Sequence, residues 1–184
     1  GGFNVSEKNC MSCHDPHSEN SAGKLIPANV HQPFKTGKCG MCHQGVGAAD
    51  PLALKKAPKE LCAMCHGDKV AASGEAKVPH FPAKEGMCTA CHNPHVSKRK
   101  SFVKDRLDIV CVVCHAKVDD QLSGEYEHPP MAAGECTNCH KPHGGDREKL
   151  LKEEPNDLCK KCHQNIKFSH PLVEQTKNPD FGPI

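Results

Sequence analysis

The chain has 184 residues, of which 36% are hydrophobic and 4% aromatic, and it contains 14 Cys and 14 His. A chain of this length normally buries a core rich in Leu, Ile, Val and Phe, and this composition does not supply one. Its 24 basic and 22 acidic residues give a formal net charge of +2, which argues against intrinsic disorder and gives nucleic-acid binding little support. The longest apolar run, residues 109–114, is far shorter than the roughly 20 residues of a membrane-spanning helix. We therefore predict no nucleic-acid partner, no transmembrane segment, and an interior filled by something other than side chains.

The cysteines all fall into seven copies of the motif Cys-x-x-Cys-His, and none is left over. The motif cysteines are Cys10, Cys13, Cys39, Cys42, Cys62, Cys65, Cys88, Cys91, Cys111, Cys114, Cys136, Cys139, Cys159 and Cys162. The motif histidines are His14, His43, His66, His92, His115, His140 and His163. In c-type haem attachment the two thiols bond to one porphyrin and the following His is the proximal ligand of the iron. The sequence therefore predicts seven covalently attached haem c groups.

Three other uses of these residues are weaker. Seven Cys2His2 zinc sites would use every ligand, but a Cys and the His directly after it rarely point at one tetrahedral metal. A disulfide framework explains an even number of cysteines but not a His after every second one. A thioredoxin-like redox motif would need one copy beside a βαβ pattern, and no such pattern is visible.

The remaining histidines also number seven, one for each predicted iron. They are His17, His31, His80, His95, His128, His143 and His170. This match favours bis-histidine coordination, which gives low reduction potentials because Met as the sixth ligand would raise them. The five methionines are accordingly predicted to pack against porphyrin faces rather than to bind iron.

The motifs form a repeat. The last six make three pairs with the same internal step, Cys39 to Cys62, Cys88 to Cys111 and Cys136 to Cys159. A His lies eight residues before each pair, and a short charged stretch with a Leu or Ile just before each second motif predicts one or two helical turns there. We divide the single predicted domain, 1–184, into a half unit (10–30), a first, second and third paired unit (31–79, 80–127 and 128–169) and a tail (170–184).

These residues resemble the doubled Cys-x-x-Cys-His family of multihaem c-type cytochromes over about residues 10–171. The resemblance implies a mostly irregular fold with short α-helices and little or no β-sheet, wrapped around a stacked row of haems. It also implies thioether bonds at the motif cysteines, proximal motif histidines and distal ligands among the other histidines. Two departures stand out: His43 is followed by Gln44-Gly45 instead of x-Pro-His, and the half unit has no upstream His and no partner motif.

The distal ligands can be assigned from the spacing. A His three residues after a proximal His cannot reach the opposite face of the same iron, so His17, His95 and His143 must serve neighbouring haems. The simplest assignment is His31, His80 and His128 to the Cys39, Cys88 and Cys136 haems, His95 to the Cys111 haem, His143 to the Cys159 haem and His17 to the Cys62 haem.

This assignment leaves one histidine, His170, and one haem, the one at Cys10, without a partner. Either the two ends of one chain meet, or His170 of one subunit binds the Cys10 haem of the next, which gives a head-to-tail contact and, unless it closes, a filament.

Electron transfer is the predicted function, because six-coordinate irons pass electrons without binding a substrate, and no enzymatic activity is expected. The alternative is a multihaem reductase with one open-coordination haem. Covalent haem attachment takes place outside the cytoplasm, so we expect a periplasmic or extracellular protein of anaerobic respiration. Its partners would be other redox proteins or extracellular acceptors. Residues 1–4 have no basic or apolar signal region, so any export signal is predicted to be missing from this chain.

Overall fold

The computed structural model describes residues 14, 28–118 and 128–164. The helices that lie entirely in these residues are α1 (Gln32–Lys35), α2 (Pro58–Glu75), α3 (Phe81–Lys84), α4 (Cys88–Cys91), α5 (Leu107–Val112), α6 (Pro129–Ala132), α7 (Cys136–Cys139) and α8 (Pro155–Lys160), with 3-10 turns at Cys39–Met41, Lys100–Phe102 and Glu148–Leu150. Strands β1 (Asn29–Val30) and β2 (Val96–Ser97) form a two-stranded antiparallel sheet. The predicted fold class, short helices in a mostly irregular chain, is confirmed.

Each paired unit opens with one turn of helix directly after its upstream His. In the second paired unit His80 is the N-terminal cap, and Pro82 lies in the first turn, where no backbone donor is needed. Gly86 ends the helix in the left-handed region, with φ +75°. Two hydrogen bonds close this end, from Gly86 to the carbonyl of Ala83 (3.2 Å) and from Met87 to that of Pro82 (2.8 Å). The spacing from the upstream His to the first Cys is therefore the length of one capped turn.

A second turn carries the two cysteines of each first motif. In α4 the amide of His92 donates to the carbonyl of Cys88 at 3.0 Å, so Cys88 and Cys91 lie one helical turn apart on the same side. The second motifs begin on the longer helices α2, α5 and α8, and α2 contains its whole motif. These helices confirm the turns predicted from the apolar residues before Cys62, Cys111 and Cys159.

After each first motif the chain folds back and its backbone pairs with that of the motif histidine. Isolated antiparallel bridges join His43 to Leu54, His92 to Val103 and His140 to Leu151. Each return places a backbone carbonyl beside the preceding imidazole.

Backbone pairing joins the segment ahead of two of the upstream histidines to the paired unit that follows the one the histidine begins. In β1 and β2, Val30 pairs with Val96, so the residues ahead of His31 meet those that follow His95. The same contact recurs one unit later, where Val78 and Gly145 exchange hydrogen bonds of 2.8 and 3.0 Å. The segment before an upstream His therefore binds the Pro-His segment of the following unit.

Side chains contribute almost no core in the described residues. Val96 is the only buried hydrophobic side chain there, at 4% exposure. The other buried residues are Ser73, Ser97, Gly86, Gly134 and Gly145. Large apolar side chains near the motifs are exposed instead, among them Phe81 at 67% and Val113 at 78%. No helix in the described ranges is long and apolar enough to cross a membrane. The predicted unit boundaries stay a prediction.

Candidate haem-binding sites

Five pairs of histidine rings face each other in the described residues, and each pair contains one motif histidine. The pairs and their ring-centre separations are His31 with His66 (6.2 Å), His43 with His95 (5.9 Å), His80 with His115 (6.1 Å), His92 with His143 (5.9 Å) and His128 with His163 (6.2 Å). The rings of the pairs at second motifs are nearly parallel, with interplanar angles of 16° to 23°. The two pairs at first motifs are more tilted, at 35° and 47°.

These separations fit an iron held between two imidazoles. Metal–nitrogen bonds of about 2.0 Å, with about 1.1 Å from each nitrogen to its ring centre, put the two centres about 6.2 Å apart. No group of three or more His, Cys, Asp or Glu in the described residues is arranged to hold a metal ion by itself. Two protein ligands per iron suit a porphyrin, which supplies the other four nitrogens.

The pairing predicted for the distal ligands is wrong in its details. His31 faces the motif histidine of the Cys62 site rather than that of the Cys39 site, and His80 and His128 likewise face the second motif of their own unit, at Cys111 and Cys159. His95 faces the Cys39 site instead of the Cys111 site, and His143 faces the Cys88 site instead of the Cys159 site. The physical reason is the backbone pairing between units, which brings each Pro-His segment back against the preceding unit.

The ring pairs agree with the rule that produced part of that assignment, which itself stays a prediction. His95 and His143 each follow a proximal His by three residues, and each faces the motif histidine of another unit. His17, like His170, lies outside the described residues, so its assignment stays a prediction. The role of every individual cysteine and histidine in haem binding also stays a prediction.

Backbone carbonyls fix the orientation of the first-motif histidines. Nδ1 of His43 donates to the carbonyl of Leu52 (2.6 Å), Nδ1 of His92 to that of Ser101 (2.8 Å) and Nδ1 of His140 to that of Lys149 (2.8 Å). Because Nδ1 is used in this way, Nε2 is the nitrogen left to bind metal. The distal side has a similar contact, from Nδ1 of His80 to the carbonyl of Pro142 at 2.6 Å.

Two of these acceptor carbonyls belong to residues in left-handed backbone conformations. Ser101 and Phe102 have φ +54° and +58°, and Lys149 and Leu150 have the same two values. The second residue of each pair also accepts a hydrogen bond, from Asn93 to Phe102 (2.8 Å) and from Lys141 to Leu150 (2.7 Å). These acceptors were not predicted from the sequence. The common spacing of nine residues after each first-motif His was the signal that could have revealed them.

Burial favours the neutral form of His95 and His143, the two histidines that face first-motif imidazoles. It lowers the pKa of His95, with a smaller contribution from neighbouring His43 and His31. Burial also lowers the pKa of His143, followed by the effects of His92, His80 and Lys69. A lowered pKa favours the neutral ring, which is the form that coordinates iron.

The cysteines of successive motifs lie next to one another. Burial raises the pKa of the Cys62 thiol to about 11, and its hydrogen-bonded neighbour Cys88 adds to the shift. The same arrangement at Cys111, with Cys136 as the neighbour, also raises the pKa to about 11. Burial and the nearby Cys114 raise the pKa of Cys91. The twelve cysteines of the described residues are all free, so that part of the chain gives the disulfide alternative no support.

Comparison with known proteins bears directly on these sites. The family model for the doubled CXXCH motif matches residues 3–30, 31–71, 80–120 and 128–168, which is most of the chain. The chain belongs to this family. Over 110 residues, 59% of the chain, it is 32% identical to the multiheme cytochrome MtrA of Shewanella baltica (strain OS185). The aligned part is 31% of that relative, so the chain spans about a third of the length of the curated protein it matches.

Membership of the family establishes the broad chemistry. The chain is a multihaem c-type cytochrome that binds haem c covalently at doubled Cys-x-x-Cys-His motifs, and its family function is electron transfer through these haems. The matched boundaries at 31, 80 and 128 coincide with the upstream histidines that begin the three paired units.

Proposed function

We propose that this chain carries seven covalently bound haems between pairs of imidazoles and passes electrons along them in chain order. The five ring pairs at 5.9 to 6.2 Å carry the proposal, because each supplies a proximal and a distal ligand at the separation that an iron requires. Bound haem supplies the one-electron iron couple. Backbone carbonyls accept hydrogen bonds from Nδ1 of the imidazoles and so orient them. The side chains exposed beside the motifs are apolar and suit contact with a porphyrin.

The order of the haems is supported by the cysteine contacts. Cys62 lies beside Cys88 and is also within electrostatic range of Cys42. Cys111 lies beside Cys136 and within range of Cys91. Motifs that follow one another in the chain are therefore neighbours in space, and haems bonded to these sulfurs follow in the same order. A row of this kind moves electrons lengthwise without a substrate site.

The proposed setting is anaerobic respiration in the periplasm or outside the cell. Covalent haem attachment takes place outside the cytoplasm, and the chain resembles part of a multiheme cytochrome. Its partners would be other redox proteins or extracellular acceptors. Head-to-tail polymerisation, with His170 binding the Cys10 haem of a neighbouring subunit, is part of this proposal, and both residues lie outside the described ranges.

Intact-mass measurement and spectroscopy of the purified protein test the proposal. We expect the mass of seven haems above the polypeptide, low-spin absorption spectra and multiple reduction waves at low potential. A protein with the mass of the bare polypeptide would refute it. Electron microscopy of the same sample distinguishes single particles from filaments.

One observation favours the alternative of a multihaem reductase. Among the described residues, no aromatic ring contacts that of His140, unlike the other five motif histidines of the paired units. An iron at His140 with an open coordination position would bind carbon monoxide and support reduction of nitrite or another oxyanion. Turnover of such a substrate by the fully assembled protein would establish a reductase. If no turnover is seen and all haems give low-spin spectra, electron transfer is the function that remains.

A further inference from the structure

We infer that the basic loop at residues 98–104 is the docking site for the acidic face of an electron-transfer partner, which exchanges electrons with the haem bound at the Cys88 motif. The inference rests on the proposed function, since it needs that haem. It goes beyond the proposed function in naming the place on the chain where a partner docks and the charge that the partner carries.

The first support is the charge of this loop compared with that of its two equivalents. A stretch of 14 residues runs from each first-motif histidine to the N-terminal cap of the helix that begins the second motif, at 44–57, 93–106 and 141–154. The stretch 93–106 has five basic residues and one acidic residue, whereas 141–154 has four of each and 44–57 has two basic and one acidic. The five basic residues are all exposed and are Lys98, Arg99, Lys100, Lys104 and Arg106. A strongly positive surface therefore occurs in one of three equivalent loops.

The second support is that most of these charges have no acidic partner close by. Arg99, Lys100 and Lys104 form no ion pair with any residue of the described ranges. In the third paired unit the corresponding stretch is partly neutralised by its own acids, as where Arg147 pairs with Glu154 at 2.7 Å. Clustered charges of one sign raise the local concentration of molecules of the opposite charge. The loop at 98–104 is therefore the one of the three that attracts an anionic surface most strongly.

The third support is the closeness of the loop to the predicted haem site at Cys88. The amide of Lys104 donates to the carbonyl of Cys91 at 2.9 Å. Burial raises the pKa of the Cys91 thiol, and the positive charge of Lys104 partly offsets that rise. Nδ1 of His92 donates to the carbonyl of Ser101, inside the loop. A partner docked on the loop would therefore lie beside both the cysteine and the histidine of this haem site.

The fourth support is the set of hydrogen bonds that holds the loop in place. The hydroxyl of Ser97, which is 5% exposed, accepts a hydrogen bond from the amide of Arg99 (2.9 Å) and donates one to the carbonyl of Val103 (2.5 Å). The side-chain amide of Asn29 donates to the carbonyl of Arg99 at 3.0 Å, which ties the loop to β1. In the third paired unit Gly145 stands at the position of Ser97 and has no hydroxyl. Because a surface that is already fixed loses less entropy on binding, the backbone of this loop is well suited to docking.

A protein partner fits this loop better than an anionic membrane surface. Binding to a membrane surface combines basic residues with apolar side chains that enter the lipid. The apolar residues of the loop, Phe102 and Val103, are only partly exposed, and the ring of Phe102 packs against that of His31 at 5.3 Å. The charges also lie at a predicted haem site, which matters for an electron-transfer partner and not for a lipid. The occupant is therefore an acidic face of a redox protein.

The test uses the full 184-residue chain with its haems attached and reduced, and it measures their oxidation by stopped flow. The two probes are ferricyanide, an anion, and hexaammineruthenium(III), a cation. In each reaction one electron leaves a ferrous haem and reduces the metal of the probe, and no atom or proton is transferred. At low ionic strength we expect Lys104→Glu to slow the reaction with ferricyanide roughly fivefold and to speed the reaction with hexaammineruthenium(III). Both effects should fade in high salt, because salt screens exposed charges.

Lys152→Glu is the matched control, because the amide of Lys152 donates to the carbonyl of Cys139 (2.8 Å) as that of Lys104 does to Cys91. Both lysines are exposed, and the two variants have the same net charge. Effects on the charge of the whole molecule, or on the potential of an adjacent haem, are therefore common to both. We expect Lys152→Glu to react with ferricyanide at nearly the rate of the unsubstituted protein.

Two further measurements test the loop itself and the kind of partner. Asp146→Lys combined with Glu148→Lys places lysines at the positions that match Lys98 and Lys100, so in the Lys104→Glu background it should restore much of the rate with ferricyanide. A short poly-aspartate peptide, used as a model of an acidic protein face, should slow the oxidation of the unsubstituted protein by ferricyanide and have less effect on Lys104→Glu.

Equal rates of Lys104→Glu and Lys152→Glu with ferricyanide would overturn the inference. So would binding to phosphatidylglycerol vesicles that Lys104→Glu abolishes, together with no effect of the peptide, since the occupant would then be a membrane. Failure of the proposed function itself has a different result, a chain with no covalent haem in its mass spectrum.

Discussion

Ser101 and Lys149 orient the imidazoles of His92 and His140 through their carbonyls, and both do so from the left-handed region of backbone conformation. This region costs an L-residue roughly 1–2 kcal/mol, and each of the two is followed by a second residue with positive φ. In the first paired unit Leu52 serves His43 without positive φ. The hydrogen bond from Nδ1 to a backbone carbonyl is therefore common to all three paired units, whereas the left-handed turn that positions the carbonyl is found in two.

Replacement of Ser101 tests what this contact does to the iron ligand. A carbonyl at Nδ1 makes the imidazole more basic and stabilises ferric iron. Ser101→Pro fixes φ near −65° and withdraws the carbonyl from His92, so we expect one haem to shift to higher potential by on the order of 59 mV, a factor of ten for one electron. Ser101→Gly keeps the left-handed conformation and is the control. Potentiometric titration measures both, and equal curves for the two variants would contradict the prediction.

The observed ring pairs predict which substitutions affect the same haem. His43 and His95 face each other, so His43→Ala combined with His95→Ala should disturb one haem. His95→Ala combined with His115→Ala should disturb two, because His115 faces His80. Carbon monoxide equivalents per chain distinguish one from two. The reverse result would restore the assignment of His95 to the Cys111 site.

At the level of elements, the left-handed glycines hold consecutive units together. A Cβ added to Gly86 would overlap Cβ of Lys59 in α2, and one added to Gly134 would lie 2.7 Å from Oδ1 of Asp108 in α5. Lys59 and Asp108 each lie three residues before the first Cys of a second motif. Each glycine thus allows a second-motif helix to approach the next first motif, which is the approach that brings Cys62 to Cys88 and Cys111 to Cys136.

Gly37 offers a matched control for this contact, because its φ is +66° but a Cβ there meets nothing within 4 Å. Gly37→Ala should cost only the backbone conformation, about 1 kcal/mol of unfolding free energy. Gly86→Ala adds overlap with a Cβ that cannot move without its helix, and overpacking of this kind costs roughly 1–3 kcal/mol more. Guanidinium unfolding of the haem-loaded proteins measures the difference. Equal losses at Gly37 and Gly86 would show that the glycines serve only to end their helices.

The repeat could be predicted from the sequence because each of its parts is formed by residues close together in the chain. The upstream His, the Pro and the Gly of the second paired unit define one capped helical turn, and Cys-x-x-Cys defines the next. The ring pairs could not be read in this way. His92 faces His143, 51 residues further on in the next unit, because strand pairing and helix contacts between units decide which imidazoles meet. The carbonyl of Pro142 at His80 likewise depends on a contact between two units.

For the whole molecule, the described residues contain a scaffold without an apolar interior. Val96 alone among their hydrophobic residues is buried, while Met64 and Met87, inside or beside the motifs, are 57% and 48% exposed. The ion pair between Arg147 and Glu154, at 2.7 Å, is exposed, and pairs of this kind contribute little to stability. Hydrophobic burial is the main source of folding stability, so most of it must come from porphyrin faces covered by these side chains.

Haem attachment is therefore expected to decide whether the chain folds. The same 184 residues produced without haem maturation should lack a cooperative thermal transition, since all the fully described helices except α2 have only four to six residues and are unstable without packing. The haem-loaded chain should unfold cooperatively and resist limited proteolysis under identical conditions. Circular dichroism and limited proteolysis compare the two preparations, which have the same sequence and differ only in haem. Both are kept reduced so that no disulfides form. If the haem-free chain showed a sharp thermal transition and resisted proteolysis equally well, its stability would have to come from contacts among side chains. The claim that porphyrin burial supplies most of the folding stability would then be wrong.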